Sequence, residues 1–234
     1  MFRFKQFIVD QSGCAMKINT DGVLLGALAK AENPVNIVDI GTGTGVIALM
    51  LAQRFLSADI DAVEIDKTAA ATAARNFSNS VFNERLTVFP TSFEQFFKSN
   101  TGKKYDLIVA NPPFYINSLK SPEKNKQLAK HADIAFFEQL INALDIHLDE
   151  KGHGWLVLPI STSEIVKEIA AKHNLVASTA ITVYSYPNSA AHREIIIVSR
   201  SNIEADETSF VIYDAPGIYS VQYRKALKDF FTIF

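Results

Sequence analysis

The chain is poor in several things that mark particular protein classes. It holds one cysteine, Cys14, among 234 residues. That excludes an internal disulfide and a metal centre built on cysteines. Cys14 itself reads as a small buried hydrophobe. No apolar run approaches the ~20 residues that a membrane-spanning helix needs. The opening Met1-Phe2-Arg3-Phe4-Lys5-Gln6-Phe7 has no apolar signal-peptide core and no small-residue cleavage site. A cytoplasmic location and no membrane contact are therefore expected. Net charge is scarce too: 23 Lys and Arg against 25 Asp and Glu leave −2. That balance sets up no global field for nucleic acid, so any such attraction must come from a local patch. His131, His147, His153, His173 and His192 show no ligand spacing, and no metal is assigned.

What is present describes a globular α/β chain. The composition is 48% hydrophobic and 21% charged, ordinary for a packed domain. From about residue 36, short β-branched runs alternate with helical patterns. Strands are expected at Asn36–Ile40, Ile60–Ile65, Leu86–Phe89, Asp106–Ala110, Gly154–Leu158, Val176–Val183 and Glu194–Ser199. Helices are expected at Val46–Phe55, Thr68–Asn79, Ala132–Leu148 and Ser163–Lys172. The alternation predicts a mostly parallel seven-stranded sheet with helices on both faces. The last two strands are joined by a loop holding Pro187 and Asn188, with no room for a crossover helix, so the last strand should be antiparallel. Ahead of the first strand, Thr20–Ala29 reads as a helix with Thr20 or Asp21 as its N-cap. A closing helix is patterned over Ser220–Phe231, with Phe230, Phe231 and Phe234 docking the end of the chain. No linker or repeat divides residues 1–234, which are read as a single domain.

The most informative four residues are Asn111-Pro112-Pro113-Phe114, directly after the strand-like Tyr105–Ala110. Two prolines cannot continue a central strand or enter a helix interior, so the chain turns there. Asn111 is then held at the carboxyl end of a strand, where open α/β sheets bind ligands. The Asn111 amide oxygen and the Pro112 carbonyl both accept hydrogen bonds. Two acceptors beside an aromatic ring suit a flat substrate that carries an NH2 group.

A second signal is Val38-Asp39-Ile40-Gly41-Thr42-Gly43-Thr44-Gly45-Val46: strand, glycine turn, helix start. Its Gly-x-Gly-x-Gly spacing differs from the dehydrogenase fingerprint Gly-x-Gly-x-x-Gly, because the sixth position is Val46. Glu64 follows at the end of the second strand, where an acid can accept the hydroxyls of a ribose.

Together these three features resemble the class I methyltransferases that use S-adenosylmethionine, in the branch acting on amino groups, with a Rossmann-like fold. The resemblance implies that Gly41, Gly43 and Gly45 pack on the methionine part of the cofactor and that Glu64 holds its ribose. It implies that Asp39 serves the methionine ammonium and that Asn111 borders the cofactor. The family often reads the cofactor adenine with an Asp after the third strand. This chain has Thr91-Ser92-Phe93 there, so Ser92 is expected to bond the adenine and Phe93 to pack on it.

The likeness runs over nearly the whole chain. Phe4-Lys5-Gln6-Phe7, Cys14-Ala15-Met16-Lys17 and Thr20-Asp21-Gly22-Val23-Leu24-Leu25-Gly26 resemble the start of bacterial tRNA adenine-N6 methyltransferases, and Tyr223-Arg224-Lys225-Ala226-Leu227-Lys228-Asp229-Phe230-Phe231 resembles their end. These enzymes modify the adenosine beside the anticodon of a valine tRNA. By that resemblance, residues 1–35 lie over the cofactor pocket, and Asp21 sits at its methionine end. Asn111, Pro112 and Phe114 are the catalytic set, and Phe114 or Tyr115 stacks on the target base. Lys120, Lys124, Lys126, Lys130 and His131 face only Glu123 in their segment and would meet tRNA phosphates, or else form a solvated face. Arg193 either touches RNA or pairs on the sheet edge. A monomer is expected.

The same four-residue turn also serves enzymes that methylate a glutamine amide in release factors, or guanine N2 in ribosomal RNA. A nicotinamide oxidoreductase is disfavoured by the glycine spacing. A non-catalytic RNA-binding module has no use for Asn111 beside a nucleoside pocket.

Overall fold

A computed structural model describes residues 1–112, 123–201 and 208–234, with residues 123–133 described for their backbone alone. An eight-stranded sheet organises the described residues. Its strands, in chain order, are β3 (Asn36–Ile40), β4 (Asp59–Val63), β5 (Leu86–Phe89), β6 (Tyr105–Ala110), β7 (Leu148–Leu158), β8 (Val176–Tyr184), β9 (Ala191–Ser199) and β10 (Thr208–Val211). Ahead of them lies a small hairpin, β1 (Phe2–Arg3) with β2 (Ile8–Val9). The spatial order is β10-β8-β9-β7-β6-β3-β4-β5. β9 runs antiparallel to both β7 and β8, and every other pairing in the sheet is parallel.

The expected seven strands are all present, and the antiparallel pair is as foreseen. The structure adds an eighth, β10, at the edge beside β8. Four residues, Thr208–Val211, are too short a run to register as a strand in the sequence; pairing to Ile181–Tyr184 creates it.

Alternation along the strands builds two cores. Leu107 and Val109 of β6, Trp155 and Val157 of β7, and Ile195 and Ile197 of β9 face one. Ile108 and Ala110, Leu156 and Leu158, and Ile196 and Val198 face the other. Period-two side-chain alternation in strands buried on both sides produces this division. The first core is covered by α1 (Thr20–Leu28), α2 (Val46–Arg54), α3 (Lys67–Ser78) and α7 (Val221–Leu227). The second is covered by α4 (Phe93–Ser99), α5 (Glu123–His147) and α6 (Ile160–Lys172).

Three expectations change. α1 is capped by Asn19, whose side chain accepts from Gly22 N; Thr20 and Asp21 lie inside the helix. α4 was not foreseen: Ser92 caps it, and Phe93, Phe96 and Phe97 bury its apolar side. The closing helix stops at Leu227, although Phe230 and Phe231 are buried as expected. The two ends of the chain meet there. Phe4 bridges Phe231, and Lys5 N donates to Phe230 O at 2.7 Å.

Candidate active site

The carboxyl ends of β3, β4, β5 and β6 open into a cleft of about 470 Å³. Its wall combines the glycine turn (Gly41, Gly43), the end of β4 (Val63, Glu64, Ile65, Asp66), the start of α4 (Ser92, Phe93, Glu94), and Ala110, Asn111 and Pro112 after β6. Cys14, Ala15 and Met16 close it from the N-terminal side. Cys14 is therefore half-buried at the cleft wall, not a core residue.

The glycine turn is built for close approach. Gly41 and Gly43 have φ of +72° and +57°, a region that side chains rarely adopt. A Cβ on either would meet nothing within 4 Å, so both face open cleft. Gly45 serves a different purpose. Its φ is +84°, and a Cβ there would lie 2.4 Å from the Phe77 ring. That glycine lets α2 and α3 pack together and does not line the cleft.

Hydrogen bonds hold the turn in place. Gly41 N and Thr42 N donate to Val63 O at 2.8 and 3.1 Å. Gly43 N donates to Glu64 Oε2 at 2.9 Å, and Asp66 N donates to Glu64 Oε1 at 2.8 Å. Asn76 of α3 donates to Thr44 O at 2.8 Å and to Asp10 O at 2.9 Å, joining the turn to the N-terminal segment. Sequence reasoning passed over Asn76. Its signal was a lone amide within the apolar set Ala73 and Phe77 of one helix.

Asp39 is fully buried beneath this turn. Its Oδ2 accepts from the Thr42 hydroxyl at 2.6 Å, while its Oδ1 has no hydrogen-bond partner. Burial pushes its carboxyl up to about 7, against hydrogen bonds from the Thr42 hydroxyl and the Ala48 N–H; the nearby Glu64 charge acts in the same direction as burial. A buried carboxylate oxygen without a partner is costly. Asp39 does not itself line the cleft; it reaches the turn through Thr42.

Among the described residues, Asn111 lies between the cleft and the N-terminus of α1: its Nδ2 is 3.5 Å from Asn19 Oδ1. Pro112 is buried. Phe93 lies at the cleft wall and meets Phe136 edge-on, with ring centroids 5.5 Å apart. Ser92 Oγ accepts from Gln95 N at 3.3 Å, which leaves its hydroxyl proton free to donate. Glu94, unremarked in the sequence, also lines the cleft. Asp21 does not line it. Its carboxylate receives Arg193 Nε at 2.8 Å, so Arg193 pairs with α1 across 172 residues of sequence. Phe114, Tyr115 and Lys120 lie outside the described residues, as do the side chains of Lys124, Lys126, Lys130 and His131. No group of three or more His, Cys, Asp or Glu among the described residues could hold a metal. No helix among them is long and apolar enough to cross a membrane.

Comparison with known proteins agrees with this geometry. Residues 17–180 match the methyltransferase small domain family. A tRNA1(Val) (adenine(37)-N6)-methyltransferase of Pedobacter heparinus is 46% identical over 233 residues, covering all of this chain and 98% of that protein. Proteins of the same name from Flavobacterium johnsoniae and Bacteroides fragilis are 40% and 38% identical, again over nearly full length on both sides. The chain belongs to this methyltransferase family. Solved structures support the fold alone. A predicted O-methyltransferase from Agrobacterium tumefaciens superposes with a TM-score of 0.63 at 17% identity, over 90% of this chain and 96% of its own. A 16S rRNA N2 G1207 methyltransferase from T. Thermophilus, solved with AdoMet and guanosine, gives 0.53 at 18% identity, over 82% of this chain and 45% of its own. Membership of this family implies S-adenosylmethionine as the methyl donor. The open glycine turn, the acid Glu64 in the cleft wall and Asp39 buried beneath the turn are a set that fits it.

Proposed function

We propose that this methyltransferase transfers a methyl group to the exocyclic N6 of an adenine in tRNA, the adenine at position 37 beside the anticodon of tRNA(Val). The observation that carries the reading is the placement of Asn111 and Pro112 in the wall of the same cleft as Gly41, Gly43 and Glu64. The relatives named for that reaction, matched end to end, supply the acceptor.

When bound, S-adenosylmethionine supplies an electrophilic methyl group on a sulfonium. Gly41 and Gly43 would hold its methionine part, and the Asp39 carboxylate beneath the turn would answer the ammonium. Glu64 accepts the ribose hydroxyls with the lone pairs left after its two backbone bonds. Ser92 donates to the adenine of the cofactor and Phe93 packs on it. Asp21 contributes at the methionine end only indirectly, by fixing α1 through Arg193.

The N6 lone pair of adenine is delocalised into the ring and is a poor nucleophile. Asn111 Oδ1 and the Pro112 carbonyl accept its two protons and favour a pyramidal nitrogen, which frees the lone pair. Those bonds strengthen as positive charge develops on nitrogen, so they stabilise the transition state more than the bound ground state. Bound there, the cofactor would supply the methyl group and keep the electron pair of the broken S–C bond on sulfur, and the methylated nitrogen would lose one proton to solvent. No strong general base is needed. Phe114, or Tyr115, stacks on the base, and Lys120, Lys124, Lys126, Lys130 and His131 meet the phosphates of a splayed anticodon loop. The enzyme acts as a cytoplasmic monomer.

The test is mass spectrometry of tRNA nucleosides from a deletion strain. Unmodified adenosine should appear at position 37 of tRNA(Val). An unchanged N6-methyladenosine level there would overturn the reading. Labelled cofactor offered with tRNA, release factor and ribosomal RNA separates this acceptor from a glutamine amide and from guanine N2.

A further inference from the structure

The turn after β6 does not meet the cleft alone. It is met by the first residue ahead of α1. Asn19 Oδ1 accepts from Gly22 N at 2.8 Å, the N-cap bond of that helix. The same oxygen lies 3.5 Å from Asn111 Nδ2. A Cβ on Gly22 would lie 3.4 Å from Asn19 Oδ1 and 3.5 Å from Asn111 Nδ2, so the helix end packs directly on both amides.

These contacts determine which way the Asn111 carboxamide points. A backbone N–H can only donate, so Gly22 requires that Asn19 present its oxygen. An oxygen already facing Asn111 attracts the NH2 and repels the carbonyl. Asn111 therefore turns its nitrogen to α1 and keeps Oδ1 for another partner. Without Asn19 that preference is lost, and a flipped amide offers a donor where the reaction needs an acceptor. The helix end is itself anchored. Asp21, two residues on, is held by Arg193 of β9 at 2.8 Å, and both side chains are largely buried.

We propose that Asn19 is a positioning residue for methyl transfer: its carboxamide oxygen orients Asn111 so that Oδ1 faces the acceptor amino group. The inference rests on the reading of Asn111 given under Proposed function. A distance of 3.5 Å suits a bond that tightens when the acceptor base enters. The role of Asn19 goes beyond capping, and two substitutions separate the roles. Asn19→Ser keeps an N-cap oxygen but is too short to reach Asn111. Asn19→Asp keeps both the cap and the reach.

The test uses the full chain with unmodified tRNA and S-adenosylmethionine, reading kcat at saturation, cofactor Kd by calorimetry and Tm. Asn19→Ser should lower kcat about tenfold or more, with cofactor Kd and Tm nearly unchanged. Asn19→Asp should recover kcat to within about threefold of wild type. In an Asn111→Ala background, Asn19→Ser should cost nothing further, because the contact is already gone. Three results would overturn the proposal: full turnover in Asn19→Ser, an equal loss in Asn19→Asp, or an additive loss in the Asn111→Ala background. If Asn111→Ala itself turned over normally, the reading of Asn111 would fail first and this inference with it. A large loss in Asn111→Ala with an indifferent Asn19→Ser would remove the inference alone.

Discussion

Two sets of buried acids in this protein differ in the charge that meets them. Asp61 of β4 accepts from Lys103 Nζ at 2.6 Å and from the Tyr105 hydroxyl at 2.7 Å. Glu194 of β9 accepts from the Ser163 hydroxyl, and from Lys167 Nζ and the Thr179 hydroxyl at 3.1 Å each. Burial opposes ionisation of Glu194, yet these three partners together hold its carboxyl below the usual range. Asp39 of β3 is buried more deeply than either, and loss of solvent raises its carboxyl to about 7. The register sets Asp61 beside Val38, one residue from Asp39, so the contrast is local. Asp61 and Glu194 each bond through a single carboxylate oxygen, but that oxygen receives a lysine ammonium from within the chain. Asp39 sits under the turn that faces the cleft and meets the Thr42 hydroxyl and the Ala48 N–H, with no cation among the described residues lowering its carboxyl.

That contrast can be tested from both sides. The largest effect belongs to Asn111, whose amide oxygen is the acceptor in the proposed reaction. Asn111→Ala should lower kcat by about 10²–10³ with cofactor affinity nearly intact; near wild-type turnover would remove its role. Next comes a lysine-paired acid. Glu194→Ala should destabilise the fold by about 2–3 kcal/mol in chemical denaturation and leave cofactor binding alone. Because its folded pKa is depressed, that contribution is present above the ordinary glutamate range and lost as pH falls through the folded value. A change in cofactor Kd without a change in stability would reverse the contrast.

Glu64 stands between the two sets, since the protein already uses both its oxygens. Glu64→Ala should weaken cofactor binding about tenfold by calorimetry. Unchanged affinity would confine Glu64 to bracing the glycine turn. The smallest effect is on Asp39. Its folded pKa is raised, so the free protein loses stability as pH rises from the ordinary aspartate range to about 7. An ammonium partner favours the ionised form, so cofactor affinity should rise several-fold from about pH 6 to about pH 7.5. Asp39→Asn should flatten both trends, and a persisting pH dependence of binding would assign it to another group.

Much of this was legible in the residues. The glycine turn, Glu64 and Asn111-Pro112 meet in one cleft because each follows a parallel strand, and parallel strands put their carboxyl ends on one edge. Period-two alternation told little about faces, because strands buried on both sides read as continuous apolar runs. The cap of α1 was misplaced by one or two residues, since Asn19, Thr20 and Asp21 are all acceptable caps and only geometry chooses among them. Ser92 looked like a ligand contact and proved first to be the cap of α4, because a seven-residue helix leaves too short a pattern to see. Gly45 looked like a third cofactor glycine and instead admits the Phe77 ring.

Taken alone, then, the sequence determined the strand–helix alternation, the turns at Gly41–Gly45 and Asn111–Pro112, and the chemistry those turns invite. These follow from short-range facts: which residues tolerate positive φ, which lack an N–H, which accept hydrogen bonds. Only the tertiary structure decided that Asp39 keeps an unmatched oxygen, that Arg193 holds Asp21, and that Asn19 meets Asn111 across 92 residues of chain. A hydrogen-bond count is a property of the closed packing, and no local pattern reports which donors arrive from distant segments.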